Sequence, residues 1–449
     1  MQTVNLFWFR RDLRLEDNAG LYHALKGDYP VIPLFIFDKN ILDKLEDKND
    51  ARVTFIYDAL KDLQTELKKK GSTLVVKYGE PTKIWKELLQ SYTIKAVYTN
   101  HDYEPYAINR DEEIAQFLAK QNIPFHTFKD HVIFEEGEVL KADGTPYTVF
   151  TPYSRKWKAK LDSRVSKDAQ ENPISYYLKQ YPSLGYADKL WQSSPIAIPT
   201  LQSMNFERSE LSIPGKTVTR GLIKKYDETR NFPAIAGTSQ LGIHFRFGTI
   251  SIREKAQKAR QLNETYLNEL IWRDFYATIL AHFPHVAERP FRAKYEKIPW
   301  RHNEKEWKKW CTGHTGYPMV DAGMRELNAT GFMHNRIRMV TASFFTKHLL
   351  MDYRLGEAYF AKKLLDFDLA SNNGGWQWAA GCGTDAAPYF RIFNPTSQQQ
   401  KFDKELKYIK KWIPEYGTDQ YPDPIVDHKT ARERCLSTFK AALNNTAIR

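Results

Sequence analysis

Short apolar runs alternate with amphipathic ones through the first 130 residues. VNLFWF at 4–9, VIPLFIF at 31–37, TLVVKYG at 73–79 and KAVYTN at 95–100 are rich in β-branched and aromatic side chains. Runs of that length and composition predict strands. Between them, 51–71, 81–90 and 105–122 carry apolar residues at helical spacing, with Pro81 near one start and Gly71 at one stop. Strands alternating with helices predict βαβ units and a parallel sheet, a Rossmann-like α/β domain over residues 1–130. Ligands of such sheets sit beyond the carboxyl ends of the strands. No GxGxxG follows the first strand, so the dinucleotide fingerprint of nicotinamide enzymes is absent.

The pattern then changes twice. Residues 131–215 are rich in Ser, Pro and Tyr without a clear period, and predict a connector lying over the surface. From 216 to 449 apolar residues recur at i, i+3 and i+4 in the stretches 217–232, 251–283, 319–332 and 335–368, broken by Gly- and Pro-containing turns. This predicts an all-α domain. The run NNGGWQWAAGCGTDAAPYFRIFNP at 372–395 stands apart. Its Gly and Ala breaks and paired aromatics look loop-like, suited to holding a large planar ligand.

Composition narrows the class. The chain has 449 residues, enough for two or three domains and a large core. No apolar run approaches the roughly 18 residues that cross a bilayer, and the first residues lack a signal-peptide pattern, so a cytoplasmic protein with no membrane partner is expected. Three widely spaced cysteines, Cys311, Cys382 and Cys435, argue against a disulfide framework or a metal site. The net charge of +12 fits polyanionic partners but equally fits simple solubility. Aromatic content of 14% with 11 Trp adds the side chains that stack on bases.

Four groups of residues carry candidate chemistry. Glu269, Trp272, Arg273 and Tyr276 fall at i, i+3, i+4 and i+7 on one helix face. A solvent face rarely carries Trp and Tyr, and a core face rarely carries Glu and Arg, so a polar-aromatic pocket wall fits both. His334, Asn335, Arg338 and Met339 lie within about one turn, and His334 by itself reads as a structural histidine. Thr238 and Ser239 precede a helix start, where backbone N–H groups bind phosphate or merely cap. Asp366, Asp368 and Asn372 precede a Gly pair, and one of the two Asp reads as an ion-pair partner of Arg338 rather than a metal ligand.

These blocks, in this order, resemble the photolyase/cryptochrome flavoproteins along the whole chain. FWFRRDLRLEDNAGL at 7–21 is similar to their opening strand and turn. The stretches 238–251, 268–276, 310–339 and 364–395 are similar to the blocks of their FAD domain, and most of all to those of class I cyclobutane pyrimidine dimer photolyases. The resemblance implies an α/β antenna-type domain followed by an all-α FAD-binding domain. It implies light-dependent repair of pyrimidine dimers in UV-damaged DNA by electron transfer from excited reduced FAD to a flipped-out dimer, with the chain acting as a monomer, in the cytoplasm and on the nucleoid. A blue-light cryptochrome is the alternative.

The resemblance also implies roles residue by residue. Tyr226, Thr238, Ser239, Gln240, Leu241 and Gly242 match positions around the FAD phosphates and adenine side. Arg338, Asp366, Phe367, Asp368 and Asn372 match positions around the flavin ring, with Asn372 facing its N5. Glu269, Asn335 and Met339 match dimer contacts, and Trp272 and Trp378 match the indoles flanking it. Arg230, Arg336 and Gln398 match DNA contacts. Gly374 and Gly375 are expected to let the chain turn close beside the flavin.

Two departures matter. Photoreduction in the family runs through three Trp, and here Trp376 and Trp300 match the ends while Tyr353 stands in the middle. Tyr is harder to oxidise and loses a proton on oxidation, so the step slows or diverts to Trp307, Trp310 or Tyr359. A second, antenna chromophore stays open between folate, deazaflavin, a further flavin or none. Glu104 matches a folate-binding position, but Ala287 replaces the Lys of that subset.

Overall fold

Five parallel strands form one sheet in the order β3-β2-β1-β4-β5. They are β1 (Thr3–Phe9), β2 (Val31–Asp38), β3 (Val75–Gly79), β4 (Thr93–Asn100) and β5 (Phe125–Phe128). These come from a computed structural model that describes residues 2–163 and 175–444. Four strands fall where the apolar runs predict them. β5, Phe-His-Thr-Phe, was not visible in the pattern, because it is four residues long and two of them are polar and exposed.

The helices Ala19–Leu25, Ala51–Lys68, Pro81–Ser91 and Pro105–Ala119 make the four crossovers. Local chemistry starts each one. Asn18 accepts from Leu21 N–H, Asp50 accepts from Arg52 N–H, and Pro81 and Pro105 occupy the first helical turns. Val4, Leu6, Trp8, Ile32, Leu34 and Trp85 pack together with at most 1% exposure. Burial of such side chains contributes roughly 1.5–3 kcal/mol each, which explains why β1 and β2 read as nearly continuous apolar runs.

The chain divides into two compact units, residues 1–135, 158–216 and 241–258 in one and residues 136–157, 217–240 and 259–449 in the other. The sheet belongs to the first. Its strand order reverses direction between β1 and β4, and the carboxyl ends there carry Arg10, Arg11, Asp12 and Asn100. Glu104 accepts from Arg11 at 3.0 Å and also pairs with Arg246.

The second unit is helical, with no strand among its described residues. The periodic stretch 335–368 is not one helix. It is the helix Asn335–Ser343, a π-helical turn Phe344–His348, a break with Leu350 at φ 53°, and the helix Tyr353–Lys363. The surface connector expected over 131–215 also needs correction in part. Phe150–Asp162 is a helix whose Tyr153 and Trp157 are fully buried, and Trp157 Nε1 donates to Asp274 at 3.0 Å. Residues 164–174 of that expected connector lie outside the described residues.

Candidate functional site

The run at 372–395 is not a loop at its start. Leu369–Ala380 is an α-helix, capped by Asp368, whose side chain accepts from Ser371 N–H, and closed by Gly381 at φ 86°. Gly374 therefore does not make a turn. It lets this helix touch the helix Glu264–His282, because a Cβ on Gly374 would stand 2.2 Å from two carbons of the Tyr276 ring. Gly375 differs: nothing lies within 4 Å of its Cβ position, so the helix faces open space there.

The 200° between Trp376 and Trp378 on that helix sends their rings to opposite sides. Trp376 is 2% exposed and packs in the core; Trp378 is half-buried, 6.3 Å from the Phe393 ring. Asn372 is half-buried and its Nδ2 donates to the Glu357 carbonyl at 3.2 Å. The next residue, Asn373, donates to Val286 O and to the Glu357 carboxylate. Burial pushes the Glu357 carboxyl up to about 7.

Arg338 Nη2 donates to both oxygens of Asp366, at 3.0 and 2.9 Å, and Arg338 Nε donates to Met333 O at 2.7 Å. The pair argued from sequence therefore forms. Asp366, Phe367, Asp368, Leu369 and Ala370 all stay half-buried, although Leu364 and Leu365 just before them are buried. A stretch of polar and apolar side chains left accessible together fits a planar group carrying both ring surface and hydrogen-bonding edges. Tyr226, Tyr266 and Ser239 form a second cluster. The two rings meet edge to face at 5.0 Å, and the Ser239 hydroxyl bonds to Tyr266. Gln240 adopts φ 51°, a left-handed conformation rare for its type. Thr238 and Gly242 are half-buried and Leu241 is buried.

On the helix Glu264–His282, the Glu269 carboxylate accepts from Arg230. Burial raises the carboxyl above its ordinary range, and the Arg230 guanidinium opposes that rise. Trp272 lies one turn on, stacked on Phe150 with ring centroids 3.7 Å apart and planes 3° apart. Phe150 sits in the stretch read as connector, and nothing in its local pattern pairs it with Trp272.

His334 caps the helix Asn335–Ser343 by accepting at Nδ1 from Arg336 N–H. That bond needs an unprotonated ring nitrogen, and burial with three nearby guanidinium groups pushes the imidazole down to about 4. Asn335 is exposed and Met339 half-buried, with its sulfur 3.8 Å from Arg336 Nη1. Arg336 Nε and Gln398 Oε1 are buried polar atoms with no partner. Such atoms cost free energy unless something binds them.

Trp300 and Tyr353 meet edge to face at 6.4 Å. Trp376 meets Trp310, Phe345 and Phe360. No ring contact joins Trp376 to Tyr353 among the described residues. No group of three or more metal-ligating side chains occurs among the described residues, and no helix there is long and apolar enough to cross a membrane.

Residues 5–173 match the DNA photolyase family model, and residues 266–418 match the model of the FAD binding domain of DNA photolyase. The chain is 36% identical to the deoxyribodipyrimidine photo-lyase of a Synechococcus species, covering 99% of this chain and 97% of that protein. It is 35% identical to the enzyme of the same name from Escherichia coli, covering 98% and 99%. Its fold is similar to a bacterial class III photolyase from Agrobacterium tumefaciens, with a TM-score of 0.83 and 31% identity over 98% of each chain. It is also similar to an archaeal photolyase from Sulfolobus tokodaii that holds two FAD molecules, with a TM-score of 0.80 and 34% identity over 98% of this chain and 100% of that one. The chain thus belongs to the DNA photolyase family, and its helical half is the family's FAD-binding domain.

Proposed function

We propose that the protein repairs cyclobutane pyrimidine dimers in DNA with light, as a single copy of the chain acting in the cytoplasm and on the nucleoid. The observation that carries the site assignment is one helix–helix contact. At Gly374 and Tyr276, the helix holding Asn372 and Trp378 rests directly on the helix holding Glu269 and Trp272. The helix of the proposed flavin-side residues thereby packs against the helix of the proposed substrate-side residues.

The bound FAD would supply the photoexcited electron. The protein supplies position and field. Arg338 and Asp366 hold a fixed charge pair at the flavin edge, and Asn372 offers an uncharged amide where the resemblance places N5. Tyr226, Thr238, Ser239, Gln240, Phe367 and Asp368 complete the cradle. Trp272, backed by Phe150, presents one open indole face to the dimer, and Trp378 the other. An extruded dimer costs less to unstack than an intact pair. Glu269, raised towards its protonated form by burial, is suited to donate to a pyrimidine carbonyl and stabilise the charge that develops there. Asn335 and Met339 fill the remaining contacts, while Arg230, Arg336 and Gln398 face the DNA.

A second chromophore is part of this reading, but its identity stays open. The folate mode loses support, because Glu104 already accepts from two guanidinium groups. The test of function uses dithionite-reduced protein and a thymine-dimer oligonucleotide under near-ultraviolet light. Light-dependent recovery of thymine absorbance is expected; no recovery ends the reading.

A further inference from the structure

We propose that the electron that photoreduces the flavin reaches Trp376 from Trp310, and Trp310 from Trp307, rather than through Tyr353 and Trp300. This rests on the reading that Trp376 is the indole nearest the flavin.

Connectivity comes first. The Trp376 ring is 6.1 Å from Trp310, and Trp310 is 5.6 Å from Trp307 with planes 23° apart. Trp376 and Trp310 are buried, while Trp307 is half-buried and opens towards solvent. These three indoles make a continuous path from core to surface. On the other side, Tyr353 touches Trp300 but not Trp376. The Tyr353 helix meets Trp376 through the backbone of Gly356, where a Cβ would stand 2.2 Å from the indole, and through the Phe360 ring at 4.9 Å, whose phenyl is far harder to oxidise than an indole or a phenol.

Proton chemistry favours the same path. A phenol that loses an electron becomes strongly acidic and needs a base to take its proton. The Tyr353 hydroxyl is buried and has no hydrogen-bond partner. Burial holds its proton above the ordinary phenol range. An indole keeps its N–H proton as a radical cation for long enough to be reduced by its neighbour, so the unpartnered Trp310 Nε1 is no obstacle. Tyr359 marks the contrast. Its ring lies 5.8 Å from Trp307 and 5.7 Å from Trp310, and its hydroxyl donates to Asn328 Oδ1 at 2.6 Å. A tyrosine equipped with an acceptor therefore stands on the Trp310 branch and not on the Trp300 branch.

One electron moves at each step. With FAD bound and photoexcited, Trp376 would supply the electron, Trp310 would then reduce Trp376, and Trp307 would reduce Trp310. A small thiol in solution reduces Trp307 and leaves as a thiyl radical, its proton released to water. No bond within the protein forms or breaks.

The test is flash photolysis and steady blue-light reduction of FAD-loaded protein with a thiol reductant. Trp310→Phe is expected to slow photoreduction at least tenfold, and Tyr353→Phe less than threefold. The long-lived transient should carry the indole-radical spectrum, and Trp307→Phe should shorten its lifetime. Trp307 lies at the surface end of the path, so its variant decides the matter if Trp310→Phe loses flavin. A tyrosyl spectrum, a larger loss in Tyr353→Phe or Trp300→Phe, or equal losses on both branches would overturn the proposal. Dimer repair after chemical reduction is measured on the same samples. Wild-type protein that fails there loses the functional reading, whereas normal repair with photoreduction unaffected in Trp310→Phe and Trp307→Phe sinks only the electron path.

Discussion

Gly374 and Tyr276 lock two helices together: a Cβ at Gly374 would overlap the Tyr276 ring at 2.2 Å. Gly374→Ala must push the helices apart or twist the ring. Overpacking of this kind costs about 1–3 kcal/mol. Chemical denaturation should show that loss in flavin-free protein, together with weaker FAD retention. An unchanged midpoint would mean that the helices are not held at this distance.

Gly375, one residue on, gives the opposite expectation. Its Cβ position meets nothing within 4 Å. Gly375→Ala should leave flavin-free protein as stable or about 1 kcal/mol more stable, since Ala favours a helix over Gly. FAD occupancy of the purified variant should nevertheless fall, because the methyl group enters the space assigned to the cofactor. Full occupancy would place the flavin elsewhere.

The Arg338–Asp366 pair separates stability from binding. Both side chains are partly open to water, at 26% and 21% exposure, so the pair should contribute under about 1 kcal/mol to folding. Asp366→Asn is expected to change the denaturation midpoint little and to weaken FAD affinity at least tenfold by flavin fluorescence titration. Equal affinity would remove the pair from the cofactor site.

Glu357 predicts a pH dependence. Its carboxyl rises from 4.5 to about 7, chiefly through burial, with the Asn373 bond and Arg354 opposing and Asp352 adding. The folded state therefore holds a proton between those values that the unfolded state has lost. Stability contributed by this group is present at low pH, falls as pH rises through that window, and is flat above it. The swing is on the order of 3 kcal/mol at most. Subtracting the midpoint-versus-pH curve of Glu357→Gln from that of the wild type should isolate this slope, and parallel curves would refute it.

Phe150 should matter to substrate although it touches none in the proposed arrangement. Its ring holds Trp272 in a parallel stack at 3.7 Å, and aromatic pairs of this kind contribute roughly 0.5–1.5 kcal/mol beyond burial. Phe150→Leu is expected to lower affinity for dimer-containing DNA about threefold to tenfold with undamaged-DNA affinity unchanged, measured by fluorescence anisotropy. Equal weakening for both DNAs would assign Phe150 to general packing.

Particular residues show what the chain alone made visible. Short β-branched and aromatic runs identified β1 to β4, and period-3.6 patterns identified three of the four crossovers and the helical second half, because those elements bury whole faces; the short helix Ala19–Leu25 was not visible in the pattern. The i, i+3, i+7 spacing of Glu269, Trp272 and Tyr276 by itself puts them on one helix face. The Arg338–Asp366 pairing was legible from charge and motif. By contrast, β5 is held by pairing with β4 rather than by its own pattern. The helix Leu369–Ala380 was hidden by its two glycines, of which Gly374 is offset by contact with Tyr276 and Gly375 faces open space.

Sequence by itself determined the alternating α/β half, the helical half and the identity of the side chains available for chemistry, since these follow from local spacing and residue type. Tertiary packing alone decided which aromatic rings touch. Phe150 reaches Trp272 and Trp310 reaches Trp376 across gaps of 122 and 66 positions. No local rule encodes such meetings, because they depend on how helices pack and not on how each one forms.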